Sequence, residues 1–188
     1  MLASHNKGKL AEIAAVLAPA GVELIGAGLL NLPEPEETGA TCLENALIKA
    51  RAAVAASSLP ALADDTGLEI AALDGWPGVI TADIGGPERD HELAMARILE
   101  RLDGNADTSA RFVTVLALCW PDGHVETAEG EVRGRLVHPG RGARGWGYDP
   151  YFLPDGETRV FAEMAPGEKN ALSHRARAVR ALYDKCFT

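Results

Sequence analysis

The chain has 188 residues, 47% hydrophobic and 24% charged, the ordinary mix of a globular protein and enough for one domain, expected over residues 1–188. Its net charge of −9 argues against a protein that coats nucleic acid or an anionic membrane, both of which demand a broad basic face. A small anionic substrate stays open, because a local cluster of Lys and Arg suffices. Cys42, Cys119 and Cys186 are odd in number, widely spaced and form no C-x-x-C, which suits buried thiols in a reducing compartment. No apolar run has the length of a membrane span, and the start has no signal-peptide core, so a cytoplasmic location is expected.

In chain order, Leu10, Ile13, Ala14 and Leu17 lie at helical spacing, with Ser4 or Asn6 as cap, so a very short strand runs directly into a helix. Pro33 to Gly39 reads as a loop. Thr41 to Ala56 is a second helix, with Thr41 and Glu44 in a capping-box pattern. Ala61-Leu62-Ala63 is a short buried strand that the turn-like Asp64-Asp65-Thr66-Gly67 closes, and Leu68 to Ala72 is a further extended piece. Glu88 to Leu102 is a third helix. Arg111 to Trp120 and Val125 to Val137 form a hairpin about Pro121-Asp122-Gly123. A glycine- and arginine-rich loop follows, and then a C-terminal helix marked by Leu172, Val179, Leu182 and Cys186. Helices interleaved with strands and a long hairpin predict an α/β fold with a mixed sheet.

Gly140-Arg141-Gly142-Ala143-Arg144-Gly145 satisfies the dinucleotide pattern G-x-G-x-x-G, but Pro139 precedes it and no helix can start well before Pro150. There is no G-x-x-x-x-G-K-[ST] and no G-x-S-x-G, so ATPase motors and serine hydrolases lose their main support. Three other groups carry chemistry. Asp64 and Asp65, adjacent at an expected strand end, suit a hard cation, which needs only one or two carboxylates; Glu34, Glu36, Glu37 and Glu44 lie nearby in sequence. Ser4-His5-Asn6-Lys7-Gly8-Lys9 joins a strand to a helix N-terminus, where backbone N–H groups favour anions, and Lys49 adds a second cation. Lys169 and Ser173, four apart on the expected C-terminal helix, with His174 and Arg175 within one turn, supply donors, and Trp146, Tyr148 and Asp149 supply an aromatic face and an acceptor, the inventory for a planar base.

The ordered set of these pieces resembles the inosine triphosphate pyrophosphatase family, the non-standard purine NTP pyrophosphatases. The matching stretches are Ser4 to Glu12, Glu37 to Thr41, Glu44-Asn45-Ala46 with Lys49-Ala50, Ala63 to Leu68, Pro77-Gly78-Val79, Ala110-Arg111-Phe112, Gly145 to Pro150, Phe161 to Met164 and Lys169 to Arg175. The resemblance implies a mixed α/β fold with an elongated, curved sheet and flanking helices forming two lobes and a central cleft. It implies hydrolysis of inosine, deoxyinosine and xanthosine triphosphates to monophosphate and pyrophosphate, cleansing the nucleotide pool, with Mg²⁺ as cofactor and a homodimer as the assembly.

By the same resemblance Asp65 is the catalytic acid and a metal ligand, supported by Asp64 and one loop glutamate. Glu36 is the expected one, with Glu34 and Glu37 as alternatives. Ser4, His5, Asn6, Lys7, Gly8, Lys9 and Lys49 match triphosphate-binding positions. Thr66, Trp146, Gly147, Tyr148, Asp149, Lys169, His174 and Arg175 match nucleoside-binding positions. Two substitutions are conservative, Thr66 for the common serine and Trp146 for the common phenylalanine. Asp83 stands where many members carry arginine, which removes a cation there. Two rivals are weighed. A Maf-like nucleotide pyrophosphatase would lack the Trp146-to-Asp149 and Ser173-His174-Arg175 motifs, and a regulatory nucleotide binder would lack the carboxylate pair.

Overall fold

The structure, a computed structural model, describes residues 1–187; Thr188, the last residue of the expected domain, lies outside them. Five helices and five strands make up the described residues: α1 (Lys7–Leu17), α2 (Cys42–Ser57), β1 (Ala61–Ile70), β2 (Pro77–Gly78), α3 (His91–Leu102), β3 (Ser109–Cys119), β4 (Val125–Leu136), β5 (Phe152–Pro154), α4 (Pro166–Leu172) and α5 (His174–Cys186). The strands form one sheet in the order β2-β1-β3-β4-β5. β1 runs antiparallel to β2 with Leu68 opposite Gly78, and β4 antiparallel to β5 with Arg135 opposite Leu153. Isolated parallel bridges join Leu2 to Gly26 and to Leu62, so the expectation of a mixed α/β architecture holds.

Helix starts follow local chemistry. The Asn6 side chain accepts from the N–H groups of Gly8 at 2.8 Å and Lys9 at 3.1 Å, so Asn6 rather than Ser4 caps α1. Thr41 and Glu44 close the expected capping box on α2, worth about 1 kcal/mol in typical helices. Asp90 caps α3 through Glu92 and Leu93, which moves its start from the expected Glu88 to His91.

Two expectations give way. Asp64-Asp65-Thr66-Gly67 does not end a strand: β1 runs unbroken from Ala61 to Ile70. Aspartate disfavours strands by competing for its own backbone, but here both carboxylates are engaged by cations instead. The expected C-terminal helix is two helices. Ser173 sits extended between α4 and α5, its hydroxyl accepting from the Ala176 N–H at 3.2 Å as the cap of α5. Lys169 and Ser173 are therefore not one turn apart on a single helix.

The chain forms two compact units. The first comprises Met1–Asp65, Thr114–Glu131 and Leu172–Thr188, and the second Thr66–Val113 and Val132–Ala171. In the first unit, strand alternation divides the core in two. Leu62, Leu116 and Leu118 pack with Ile13 and Leu17 of α1 and Val179 and Leu182 of α5. Ala63, Ala117 and Cys119 point the other way, onto Ala46 and Ala50 of α2. Fully burying a side chain such as Ile13 stabilises by roughly 1.5–3 kcal/mol. In the second unit Leu153, Val160 and Ala162 pack together, and Phe152 lies between Phe112 at 4.8 Å and Phe161 at 5.4 Å.

α5 approaches β4 so closely in the first unit that a Cβ on Gly130 would collide with the backbone of His174 and Ala178. Since that obstacle is helix backbone, Gly130→Ala must displace α5. A loss of about 1–3 kcal/mol is expected, as for other overpacked sites, read as a lower urea midpoint with unchanged m-value.

Candidate active site

Strand alternation also disposes the charges of the first unit. Asp64 follows Leu62 onto the α1/α5 face, and Asp65 follows Ala63 onto the α2 face. Asp64 is buried, with its Oδ2 3.0 Å from Lys9 Nζ and 3.2 Å from Arg175 Nε. Arg175, also buried, donates through Nη1 to Glu12 of α1. Burial alone would push the Asp64 carboxyl up, but Lys9, Arg175 and Lys49 outweigh it and hold it well below the usual carboxylate range. Burial likewise disfavours the Arg175 cation, and the Asp64 and Glu12 carboxylates more than restore it.

On the other face, the buried Lys49 ammonium of α2 lies 3.0 Å from both Asp65 Oδ1 and Glu37 Oε1. Desolvation lowers its affinity for the proton, and Asp65, Asp64 and Glu37 together raise it above the ordinary lysine value. The 33–40 loop that carries Glu37 is tied down beside it. The N–H of Gly39 donates to Asn45 Oδ1 at 2.8 Å, and that of Ala40 to Glu44 at 2.6 Å. Glu37, not the expected Glu36, is the loop glutamate that reaches Lys49.

Each aspartate keeps one buried oxygen, Asp64 Oδ1 and Asp65 Oδ2, with no hydrogen-bond partner. Such atoms cost about 1–3 kcal/mol each unless something fills the place. Among the described residues no three acidic, histidine or cysteine side chains converge on one point. The two unpartnered carboxylate oxygens are the donors a hard dication could use, since such an ion needs only one or two carboxylates.

The expected anion loop is shaped by the Asn6 cap, while His5 and Lys7 are exposed and Ser4 Oγ accepts from the Asn6 N–H at 3.2 Å. Of its cations, Lys9 alone reaches the buried carboxylates. His174, at the first position of α5, is buried in the same unit as Arg175.

The second unit holds Thr66, the Trp146-to-Asp149 turn and Lys169. Asp149 is buried, and its Oδ2 accepts from the Trp146 N–H at 2.9 Å and from Lys169 Nζ at 2.6 Å. Gly145 permits this (φ +76°), since a Cβ there would strike the Asp149 carboxylate. Lys169 Nζ lies 5.6 Å from the ring centres of both Trp146 and Phe161, within cation–π range. The Ala162 N–H donates to Asp149 O at 3.1 Å, fastening the turn to the 160–164 segment. Tyr148 donates its hydroxyl to the buried Thr81 carbonyl at 3.0 Å, and its ring meets His91 edge-on at 5.4 Å. Thr81 in turn accepts from the Leu68 N–H at 2.7 Å.

Sequence reading missed Glu12, Asn45 and Thr81. Glu12 stands one helical turn from Lys9, the spacing that places two side chains on one face, and that was the available signal. Asn45 lies within a matching stretch that carried no role for it, and nothing in the sequence marks Thr81; the partners of both are backbone groups brought in by the fold.

On fold and charge this is an α/β protein whose first unit carries a preformed, buried ion cluster. The chain belongs to the Ham1 family, whose model matches residues 1–185. It is 53% identical to the dITP/XTP pyrophosphatase of Gluconobacter oxydans over 187 residues, covering 100% of this chain and 90% of that one. The dITP/XTP pyrophosphatase of Rhodospirillum centenum is also 53% identical, over 190 residues, with 100% and 94% covered. A HAM1 protein from Coxiella burnetii superposes with a TM-score of 0.88 at 39% identity, over 98% of this chain and 95% of that one. No helix among the described residues is long and apolar enough to cross a membrane.

Burial raises the Tyr148 phenol well above its ordinary value near 10. A folded-state pKa above the unfolded one gives stability that is complete below about pH 10 and drains away as pH rises past it. Tyr148→Phe is expected to flatten the alkaline loss of stability above about pH 10, measured by urea unfolding at a series of pH values. In ultraviolet titration the absorbance step removed by the substitution should lie above the steps of free tyrosine.

Proposed function

We propose that the protein hydrolyses non-standard purine nucleoside triphosphates (inosine, deoxyinosine and xanthosine triphosphate) to the monophosphate and pyrophosphate, acting as one domain with Mg²⁺ as cofactor. The observation that carries this is Asp65. Its Oδ1 is held by Lys49, its Oδ2 is buried without a partner, and Glu37 shares the same ammonium. Membership of the Ham1 family and the activity named for its Gluconobacter and Rhodospirillum relatives support the choice of substrate.

Asp65 and Glu37 would hold the cation on the α2 face, with Asp64 supporting from the next residue; this favours Glu37 over Glu36 among the loop glutamates. A bound Mg²⁺ supplies charge neutralisation at phosphate oxygens and a lower pKa for the attacking water. Water attacks the α-phosphorus, the bond to the bridging oxygen breaks, pyrophosphate leaves, and Asp65 Oδ2 is the acceptor placed for the water proton. Lys9 and Lys49 face the charge on the leaving group, so positioning and electrostatics supply most of the rate. Ser4 to Gly8 would orient the phosphate chain through the N–H groups at the start of α1.

For the base, the family resemblance assigns Thr66, Trp146, Gly147, Tyr148, Asp149 and Lys169, together with His174 and Arg175 as donors. Hypoxanthine and xanthine present an acceptor at O6 where adenine presents an amino donor. A site built of donors can reject such a mismatch by roughly 10⁴–10⁵-fold. The family's homodimeric assembly and a cytoplasmic location complete the proposal.

The test is pyrophosphate release from a panel of nucleoside triphosphates with and without Mg²⁺. Turnover of inosine and xanthosine triphosphates well above ATP, lost on chelation, is expected; equal turnover of ATP would sink the substrate assignment. Asp65→Asn should lower kcat/KM by several kcal/mol, on the order of 10³-fold or more, with circular dichroism unchanged. Substantial turnover by the folded variant at saturating Mg²⁺ would remove Asp65 from the chemistry.

A further inference from the structure

Lys9, Asp64, Arg175 and Glu12 form a chain of alternating charge in the first unit. Lys9 and Glu12 lie one turn apart on α1, so the chain closes into a ring through β1 and α5. Side-chain exposure falls from 17% at Lys9 and 14% at Glu12 to 2% at Arg175 and 0% at Asp64. Two cations and two anions cancel. The neighbouring group of Lys49, Asp65 and Glu37 carries one net negative charge.

Glu12 engages Arg175, and through it decides what the ring offers to a ligand. With Glu12 charged, Arg175 divides its field between two carboxylates. With Glu12 neutral, the ring carries a full positive charge one residue away from Asp65, in a region that water screens poorly.

We propose that Glu12 is a charge-setting residue of the site: by engaging Arg175 it keeps the Lys9–Asp64–Arg175 group neutral, so that the adjacent carboxylates retain their affinity for a divalent cation. Outer partners of metal ligands commonly act this way, orienting a ligand and fixing its charge. The inference rests on the Mg²⁺-dependent reading above. It makes a paired prediction of opposite sign. Loss of the Glu12 charge weakens cation binding and strengthens anion binding, whereas loss of mere packing weakens both.

The experiment titrates metal-free protein separately with Mg²⁺ (calorimetry, with Mn²⁺ resonance as a second readout) and with inorganic tripolyphosphate. Glu12→Gln is expected to weaken Mg²⁺ about tenfold and to tighten tripolyphosphate, while the charge-conserving Glu12→Asp stays close to wild type in both. Unchanged Mg²⁺ affinity in Glu12→Gln, or weakening of both ligands together, overturns the proposal. Should Glu12→Gln fail to fold, the same change is made on an Arg175→Gln background, where no buried cation is left to one partner. There Lys9 and Asp64 remain and cancel, so Mg²⁺ affinity should stay close to wild type, and a tenfold loss overturns the proposal. A wild-type protein that binds no Mg²⁺ would instead defeat the functional reading on which this stands.

Discussion

Two adjacent carboxylates in the middle of a buried strand are the constraint around which the first unit is arranged. An uncompensated carboxylate in the interior would take up a proton rather than remain charged. Consecutive strand residues face opposite sides, so Asp64 and Asp65 each meet their own cation from their own helix layer. α1 and α5 supply Lys9 and Arg175 on one side, and α2 supplies Lys49 on the other. The apolar residues beside them follow the same alternation. Leu62 packs with the α1/α5 core and Ala63 with the α2 core, so hydrophobic packing and charge compensation require the same register. A one-residue slip would exchange the partners of both aspartates at once.

That arrangement does not fully satisfy the carboxylates. Breaking a buried ion pair is costly, typically about 3–5 kcal/mol, so Lys9, Arg175 and Lys49 hold their partners firmly. The two oxygens without partners are the acceptors these ties leave over. The second unit uses the same device at Asp149, where one carboxylate oxygen takes both a backbone N–H and the Lys169 ammonium. Lys169 then stands over two aromatic rings, so a charged group is kept in place beside an apolar surface. In both units buried charge fixes geometry.

The elements with local causes were legible in the sequence. The capping box at Thr41 and Glu44, the hairpin about Pro121-Asp122-Gly123 and the helix over Lys7 to Leu17 all rest on contacts within a few residues. The ordered motifs also pointed to the family, because the order of many short patterns along a chain survives without knowledge of the fold. Two boundaries misled for the same reason. Asp64 to Gly67 has the composition of a turn, and Leu172 to Arg175 continues a helical pattern. Tertiary contacts overrode the first, and the Ser173 cap overrode the second.

What the sequence determined by itself was the class of protein, the residue types of its candidate site and most of the secondary structure, since helix caps, turn residues and apolar periodicity act over one or two turns of chain. Tertiary structure alone decided which charge meets which. Arg175 lies 111 residues from Asp64 and 163 from Glu12, and Lys49 chose Glu37 among neighbouring glutamates of the same kind. Side chains of like chemistry are interchangeable in a one-dimensional pattern. They become distinct only when packing of α1, α2 and α5 on β1 fixes which of them can come within 3 Å of a buried carboxylate.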